Sequence, residues 1–192
     1  MRALLLFLLL ALPGSGHAEI LTPEHERLRS FLDATINNAD SFQDRFDAEV
    51  WLVDMSTRLG SFIPDNKQRL TTLQEVHRYA SRSQLPPGLV LALIEVESHF
   101  DHYAISRSGA QGLMQVMPFW KDEIGRPADN LTNITTNLSY GCRILQFYLQ
   151  QEGGRLTTAL ARYNGSIGST VYSDKVEAAW RRRWKMEPLN WH

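Results

Sequence analysis

The chain is poor in cysteine and has no strong excess of charge of either sign. Cys142 is the single cysteine among 192 residues, so no disulfide can form within the chain. It recurs with Leu138, Leu145 and Leu149 on one side of a predicted helix, which favours a buried, small hydrophobic side chain. The formal net charge is -1, and such a balance argues against nucleic acid or another polyanion as the partner.

Long hydrophobic runs are also missing. The apolar run at residues 3–12 is shorter than the roughly 20 residues that a membrane-spanning helix needs. It follows an arginine, ends at the Pro-Gly-Ser-Gly of residues 13–16, and is succeeded by small residues of the kind that a signal peptidase reads. We therefore expect residues 1–18 to be a secretory signal peptide. The mature chain would then begin at Glu19, lack a transmembrane segment and act in a bacterial periplasm.

The polar–apolar alternation typical of strands is nearly absent, and the chain has no repeats and no low-complexity segment. Apolar residues recur instead at helical spacing, which predicts a mainly α protein with one core. The first predicted helical stretch covers residues 24–59, with a break at 37–41. A second helix starts at Thr71 or Thr72, where Thr72 and Glu75 have the spacing of a capping box, and a third runs from Pro87 to Glu97 or Ser98. Later helices are predicted at residues 112–123, 137–152, 156–163 and 172–185.

Two carboxylates, Glu95 and Glu97, follow the apolar run of residues 89–94 and have no basic neighbour in the adjacent sequence. Burying a charge costs free energy, but burial also raises the pKa of a glutamate towards neutrality, as a proton donor requires. The alternative is a helix whose last turn emerges into water, and spacing does not decide between the two. On a helix the two side chains point about 200° apart. One should therefore face a cleft, and the other solvent or a partner such as an arginine.

Three sequence blocks resemble the signatures of the soluble lytic transglycosylase (SLT) family, in particular the family 1 lytic transglycosylases. The first block is ESHF at residues 97–100. The second is GAQGLMQVMP at residues 109–118, preceded by Ser106. The third is ARYN at residues 161–164. The blocks occur in the order typical of the family, and the resemblance spans residues 71–176.

The resemblance implies a lysozyme-like helical domain with a sugar-binding cleft over residues 67–192, preceded by an N-terminal helical extension at residues 19–66. It implies a lytic transglycosylase that cleaves the β-1,4 bond between N-acetylmuramic acid and N-acetylglucosamine of peptidoglycan. A single glutamate first protonates the glycosidic oxygen and then deprotonates the C6 hydroxyl, which leaves a 1,6-anhydro sugar. The expected partners are peptidoglycan glycan strands, with cell-wall or secretion machinery as a further partner, and no cofactor is expected.

The resemblance also assigns roles to residues. Glu97, the glutamate directly before a serine, is the implied catalytic residue. The implied substrate-binding residues are Ser106, Met114, Gln115, Tyr163 and Asn164. Of these, Tyr163 and Ser106 are candidates to donate a hydrogen bond to Glu97 or to the acetamido group of the substrate.

The chain departs from the family pattern at two places. His102 stands where a proline is common, and Gly165-Ser166 stands where Ala-Gly is usual, directly after the Tyr-Asn pair. The spacing of His99, Asp101 and His102 matches no metal motif, so no metal site is predicted. Arg181 to Arg183 predict a solvated helix face, with peptidoglycan carboxylates or an anionic membrane surface as alternative contacts.

Two further functions remain open at this point. One is a hydrolase similar to goose-type lysozyme, in which water attacks the same bond. The other is a catalytically inactive peptidoglycan-binding module. Anhydro ends separate the transglycosylase from the hydrolase, which leaves reducing ends. The presence of Glu97, Ser106, Gln115 and Tyr163 favours an enzyme.

Overall fold

The computed structural model describes residues 45–186, with side chains from Ala48 onward. The predicted signal peptide at 1–18 and the predicted helical segment before residue 45 lie outside the described residues. The described part contains α1 (Arg45–Leu59), α2 (Asn66–Arg82), α3 (Pro87–Ser98), α4 (Trp120–Ile124), α5 (Ile134–Gln151), α6 (Leu156–Asn164), α7 (Val171–Ala179) and a π-helical turn (Trp180–Trp184). Strand-like pairing in this part is limited to two isolated bridges, and the mainly α fold class is confirmed.

Helix α2 begins earlier than the sequence pattern predicted. The side chain of Asp65 accepts a hydrogen bond of 2.6 Å from the backbone N–H of Gln68 and so caps the helix. Thr72 lies inside α2, where its hydroxyl donates to the carbonyl of Gln68 at 2.9 Å. The predicted start at Thr71 or Thr72 is therefore wrong, because the aspartate is the stronger capping signal.

The predicted helix over residues 112–123 is also wrong, since only α4 at its end is helical. Gly112 and Gln115 adopt left-handed conformations with φ of 74° and 48°, which interrupt any helix. A side chain at Gly112 would place its Cβ 2.3 Å from the carbonyl oxygen of Leu131, so only glycine fits. Residues 101–118 instead form a tight loop, which two bridges of Gln111, one to Ile105 and one to Val116, hold together.

Helix α3 is the centre of the core. Its residues from Leu89 to Glu95 are all buried, and α2, α7 and the π-helical turn pack around it. Helix α1 contributes to the same core, with Trp51, Leu52 and Met55 among its buried residues. The domain boundary at residue 66 stays a prediction, although it coincides with the first residue of α2.

Two smaller sequence predictions concern burial and the membrane. Cys142 is fully buried, its Sγ lies 3.9 Å from the Sδ of Met114, and burial raises the pKa of its thiol well above the usual range. The prediction of a buried hydrophobic cysteine is confirmed. Within residues 45–186, the helices are too short or too polar for any of them to cross a bilayer.

Candidate active site

Glu97 lies in the last turn of α3 and is half-buried. Burial raises the pKa of its carboxyl to about 7, although a hydrogen bond from Tyr172 lowers it. That bond is short: the Tyr172 hydroxyl donates to Oε1 of Glu97 at 2.5 Å. A carboxyl with a pKa near neutrality exchanges protons readily at neutral pH, as a general acid and base must.

The chain turns sharply just after Glu97. His99 and Phe100 both have positive φ, 51° and 67°. These left-handed conformations end α3 and change the direction of the chain. The hydroxyl of Ser98 donates to the carbonyl of Leu113 at 2.8 Å. The serine that follows the glutamate therefore fastens the loop at 101–118 to the end of α3, next to Glu97.

Tyr163 does not donate to Glu97 in this structure. Its hydroxyl donates to the backbone carbonyl of Met114 at 2.7 Å, so it holds the loop at 101–118 from the side of α6. Burial, and secondarily the nearby Glu97, raise the pKa of Tyr163 well above its usual range. The phenol that contacts Glu97 belongs to Tyr172 of α7 instead.

Sequence reasoning missed Tyr172, although a signal was available. Tyr172, Val176 and Ala179 recur on the buried face of α7, which predicts a tyrosine ring inside the core. A buried tyrosine hydroxyl needs a hydrogen-bond partner. The pattern therefore indicated a polar contact in the interior, but not that the contact is Glu97.

The remaining predicted substrate-binding residues fall into two groups. Ser106, Gln115 and Asn164 keep polar groups at or near the surface, and Asn164 ends α6. The hydroxyl of Ser106 accepts from the N–H of Ala110 at 3.0 Å, and Nε2 of Gln115 donates to the carbonyl of Gly112 at 2.9 Å.

Met114 belongs to the other group, because its side chain is fully buried. A Cβ on Gly141 would lie 2.4 Å from the Met114 sulfur, so the thioether fills the space against α5. The structure therefore shows a packing role for the Met114 side chain, and its contact with substrate stays a prediction.

The departure at Gly165-Ser166 has a local structural reason. Gly165 adopts φ of 77° directly after α6. Its N–H donates to the carbonyl of Arg162 at 3.1 Å, and the N–H of Ser166 donates to the carbonyl of Ala161 at 2.8 Å. These two bonds form a Schellman motif, which ends the helix and directs the chain towards α7.

Glu95 and Glu97 face different surroundings, as their helical spacing predicted. Glu95 is buried, with 8% of its surface exposed. Its Oε1 accepts from Arg183 at 3.0 Å and from Arg182 at 3.3 Å. The expectation that one of the two carboxylates meets an arginine is confirmed. The arginine run is therefore not simply a solvated face, because the partly buried Arg183 and the exposed Arg182 both bind Glu95.

The family model described as "Transglycosylase SLT domain" matches residues 74–186. The chain belongs to the SLT family. The resemblance carried by the three sequence blocks is thus confirmed, and Glu97, Tyr163 and Tyr172 all lie inside the matched SLT domain.

Named relatives agree with this assignment. A membrane-bound lytic murein transglycosylase C of Edwardsiella ictaluri (strain 93-146) is 34% identical over 125 residues, which cover 55% of this chain and 35% of the relative. The corresponding protein of Yersinia pestis (strain Pestoides F) is 33% identical over 122 residues, which cover 54% of this chain and 34% of the relative. The SLT domain described here therefore spans about a third of the length of these curated relatives.

Two solved structures are similar at a lower level. An inactive mutant of the lytic transglycosylase Slt of Pseudomonas aeruginosa has a TM-score of 0.46 and 21% identity, covering 77% of this chain and 27% of that one. The 70 kDa soluble lytic transglycosylase of Escherichia coli has a TM-score of 0.44 and 20% identity, covering 83% of this chain and 31% of that one.

Proposed function

We propose that this SLT domain is a peptidoglycan lytic transglycosylase in which Glu97 acts first as the acid and then as the base. The observation that carries the proposal is the partly buried carboxyl of Glu97, with a pKa of about 7 and a hydrogen bond from Tyr172. The names of the relatives support the substrate class, since they are murein transglycosylases. The same names support a site of action at the cell wall, and we propose the bacterial periplasm.

The first step needs protonated Glu97. At a pH near its pKa of about 7, roughly half of the molecules carry the proton. Glu97 passes this proton to the glycosidic oxygen, the bond from that oxygen to C1 of N-acetylmuramic acid breaks, and the N-acetylglucosamine end leaves with the proton. The acetamido group of the substrate stabilises the positive charge that develops at C1.

The second step reverses the proton transfer. The Glu97 carboxylate takes the proton of the C6 hydroxyl while the C6 oxygen bonds to C1, so the 1,6-anhydro ring closes and Glu97 is protonated again. This route needs one carboxylate, whereas ordinary glycosidases use two. Glu95 is unsuited to be the second one, because Arg182, Arg183 and Trp184 bind both of its oxygens.

The other polar groups have supporting roles in this proposal. Tyr172 orients the Glu97 carboxyl through the 2.5 Å hydrogen bond. Tyr163 orients the loop at 101–118 through the carbonyl of Met114. Ser106, Gln115 and Asn164 are the proposed contacts to the glycan strand.

Product analysis tests the proposal directly. Purified peptidoglycan is digested with the protein, and the released fragments are analysed by mass spectrometry. We expect anhydro ends from the unaltered protein and none from Glu97→Gln, because general acid–base catalysis contributes a factor of ~10² to 10⁴. The control is Glu123→Gln, which changes an exposed carboxylate on α4 and should leave release unchanged. Reducing ends would indicate a hydrolase, and binding without release would indicate a wall-binding module.

A further inference from the structure

A second buried carboxylate takes no part in the proposed chemistry. Glu95 lies two residues before Glu97, and its side chain meets three donors from the end of the domain. Besides the two arginines on Oε1, the indole Nε1 of Trp184 donates to Oε2 at 2.6 Å. Because an unpaired buried carboxylate is costly, this full set of donors indicates a built contact. We refer to Glu95, Arg182, Arg183 and Trp184 as the Glu95 clamp.

The three donors of the Glu95 clamp and Tyr172 belong to one continuous element. Helix α7 passes into the π-helical turn without a loop, and the N–H of Lys185 closes that turn by donating to the carbonyl of Trp180 at 2.8 Å. At one end, Tyr172 contacts Glu97. At the other end, the backbone of Trp184 passes so close to α3 that a Cβ on Gly88 would lie 2.2 Å from the Trp184 carbonyl oxygen. The element therefore runs antiparallel along α3, and its position along α3 decides where Tyr172 lies.

The π-helical turn is held from its other side as well. Arg58 of α1 donates to the carbonyl of Arg183 at 2.6 Å. The ring of Trp184 packs against Phe100, the second residue of the sharp turn after α3, at 5.5 Å between centroids. The guanidinium of Arg183 lies over the ring of Phe62 at 5.0 Å. Arg183 and Trp184 are thus held by contacts of their own in addition to those with Glu95.

We propose that the Glu95 clamp is a positioning device that prevents α7 from sliding along α3 and so keeps the Tyr172 hydroxyl on the Glu97 carboxyl. Glu95 is in this sense a positioning residue for the candidate acid. The importance of the clamp for catalysis rests on the proposed function. The effect of the clamp on the pKa of Glu97 does not rest on the proposed function, because that pKa is measurable in the absence of any substrate.

The expected change in the pKa of Glu97 has the opposite sign to the direct electrostatic effect of removing the Glu95 charge. Two phenols face Glu97 from the packed helices: Tyr172, whose hydroxyl binds its carboxyl, and Tyr163, whose hydroxyl binds the Met114 carbonyl instead. Arg182 and Arg183 bind Glu95. Displacing Tyr172 removes a bond that lowers the pKa of Glu97, so the pKa should rise. Removing the negative charge of Glu95 would by itself lower the pKa of Glu97.

The test therefore uses the neutral substitution Trp184→Phe, which removes a donor of the clamp and changes no charge. Glutamate carboxyl carbons are labelled with ¹³C, and the Glu97 resonance is assigned as the one that Glu97→Gln lacks. We expect the pKa of Glu97 to rise by about one unit, since a hydrogen bond to a charged group is worth at least that much. The control is Trp120→Phe on α4, a partly buried tryptophan that packs against Tyr148 of α5 and should leave the pKa of Glu97 unchanged.

Two further variants complete the design. Trp184 is fully buried, so Arg183→Lys serves as a milder variant that keeps the charge but not the fork geometry, and it should raise the pKa by a smaller amount. In the double variant Tyr172→Phe with Trp184→Phe, the pKa should equal that of Tyr172→Phe alone, because both changes remove the same bond. In the activity assay, the turnover of Trp184→Phe should fall roughly tenfold with little change in KM.

Two results would overturn the proposal. One is an unchanged pKa of Glu97 in folded Trp184→Phe. The other is a further shift when Trp184→Phe is added to Tyr172→Phe, since the clamp would then act by another route. If the unaltered protein releases no peptidoglycan fragments, the proposed function fails, but the carboxyl titration still decides whether the clamp positions Tyr172.

Discussion

The hydrogen bond between Tyr172 and Glu97 is the contact at which a small change should have the largest effect. Tyr172→Phe removes one oxygen atom and keeps the ring of a buried residue, of which only 8% is exposed. The oxygen lies 2.5 Å from Oε1 of Glu97. No cavity larger than a hydroxyl is left, so packing should be almost unchanged. The experiment therefore isolates the hydrogen bond.

The size of the effect follows from the strength of that bond. A hydrogen bond to a charged group contributes roughly 1.5 to 3 kcal/mol, and one pKa unit corresponds to about 1.4 kcal/mol. Because the bond lowers the pKa of Glu97 from what burial alone would produce, its loss should raise that pKa by about one to two units. Turnover should fall by about one to two orders of magnitude, since the carboxyl loses its orientation.

The pH–rate profile measures both quantities at once. Glu97 must be protonated to donate, so the rate of the unaltered protein should fall as pH rises through about 7. In Tyr172→Phe this alkaline limb should move to higher pH while the plateau drops. The matched control is Tyr140→Phe, which removes a similar hydroxyl, bound to Asp129 at 2.6 Å. It should lower stability and leave the limb in place.

The reasoning is refuted by either of two profiles. An alkaline limb that stays in place in Tyr172→Phe would show that the bond does not act on the titrating group. A limb that moves equally in Tyr140→Phe would show that it reports on stability rather than on Glu97.

Three further predictions use the same structure. Because burial raises the pKa of Glu97 from 4.5 to about 7, its ionisation destabilises the fold increasingly as pH rises from 4.5 to 7, and fully above that. Glu97→Gln should therefore raise the free energy of unfolding at pH 8 by about 3 kcal/mol and leave it unchanged at pH 4; equal effects at both pH values would contradict the raised pKa. Tyr163→Phe removes the hydrogen bond to the Met114 carbonyl, and should lower the free energy of unfolding in urea by about 1 kcal/mol without moving the alkaline limb of the pH–rate profile. A moved limb would indicate that Tyr163 contacts Glu97 in solution. Gly112→Ala should lower the free energy of unfolding by more than about 2 kcal/mol in the same assay, because its Cβ would lie 2.3 Å from a carbonyl oxygen. Gly109→Ala is the control, since Gly109 also has a positive φ but faces open space, and it should lower that free energy by less. Equal losses would rule out crowding as the cause.

Much of the fold was predictable because helical spacing is a local property. The buried run of α3, the proline at its start and the apolar faces of α5 and α6 lie in continuous stretches of sequence. The same local geometry predicted that Glu95 and Glu97 diverge. The order of three short blocks was sufficient to indicate the SLT family and to single out Glu97.

The loop at residues 112–117 was predicted wrongly because its conformation depends on a distant side chain. Asn137 of α5 accepts from the N–H of Met114 at 2.7 Å and donates to the carbonyls of Leu131 and Gln111 at 2.7 and 2.8 Å. A buried amide thus supplies the hydrogen bonds that a helix would otherwise provide. The Leu-Met-Gln-Val-Met segment favours a helix by propensity, and tertiary contacts outweigh that preference.

The environment of the two carboxylates was likewise decided by the tertiary structure. Tyr172 lies 75 residues from Glu97 along the chain, and Arg183 lies 88 residues from Glu95. Spacing on α3 determines that the two glutamates point in different directions, because that follows from the helix alone. Which of them meets a phenol and which meets arginines depends on how α7 and the π-helical turn pack against α3. That packing is set by close approaches such as Gly88 to Trp184, which exist only once the helices are together.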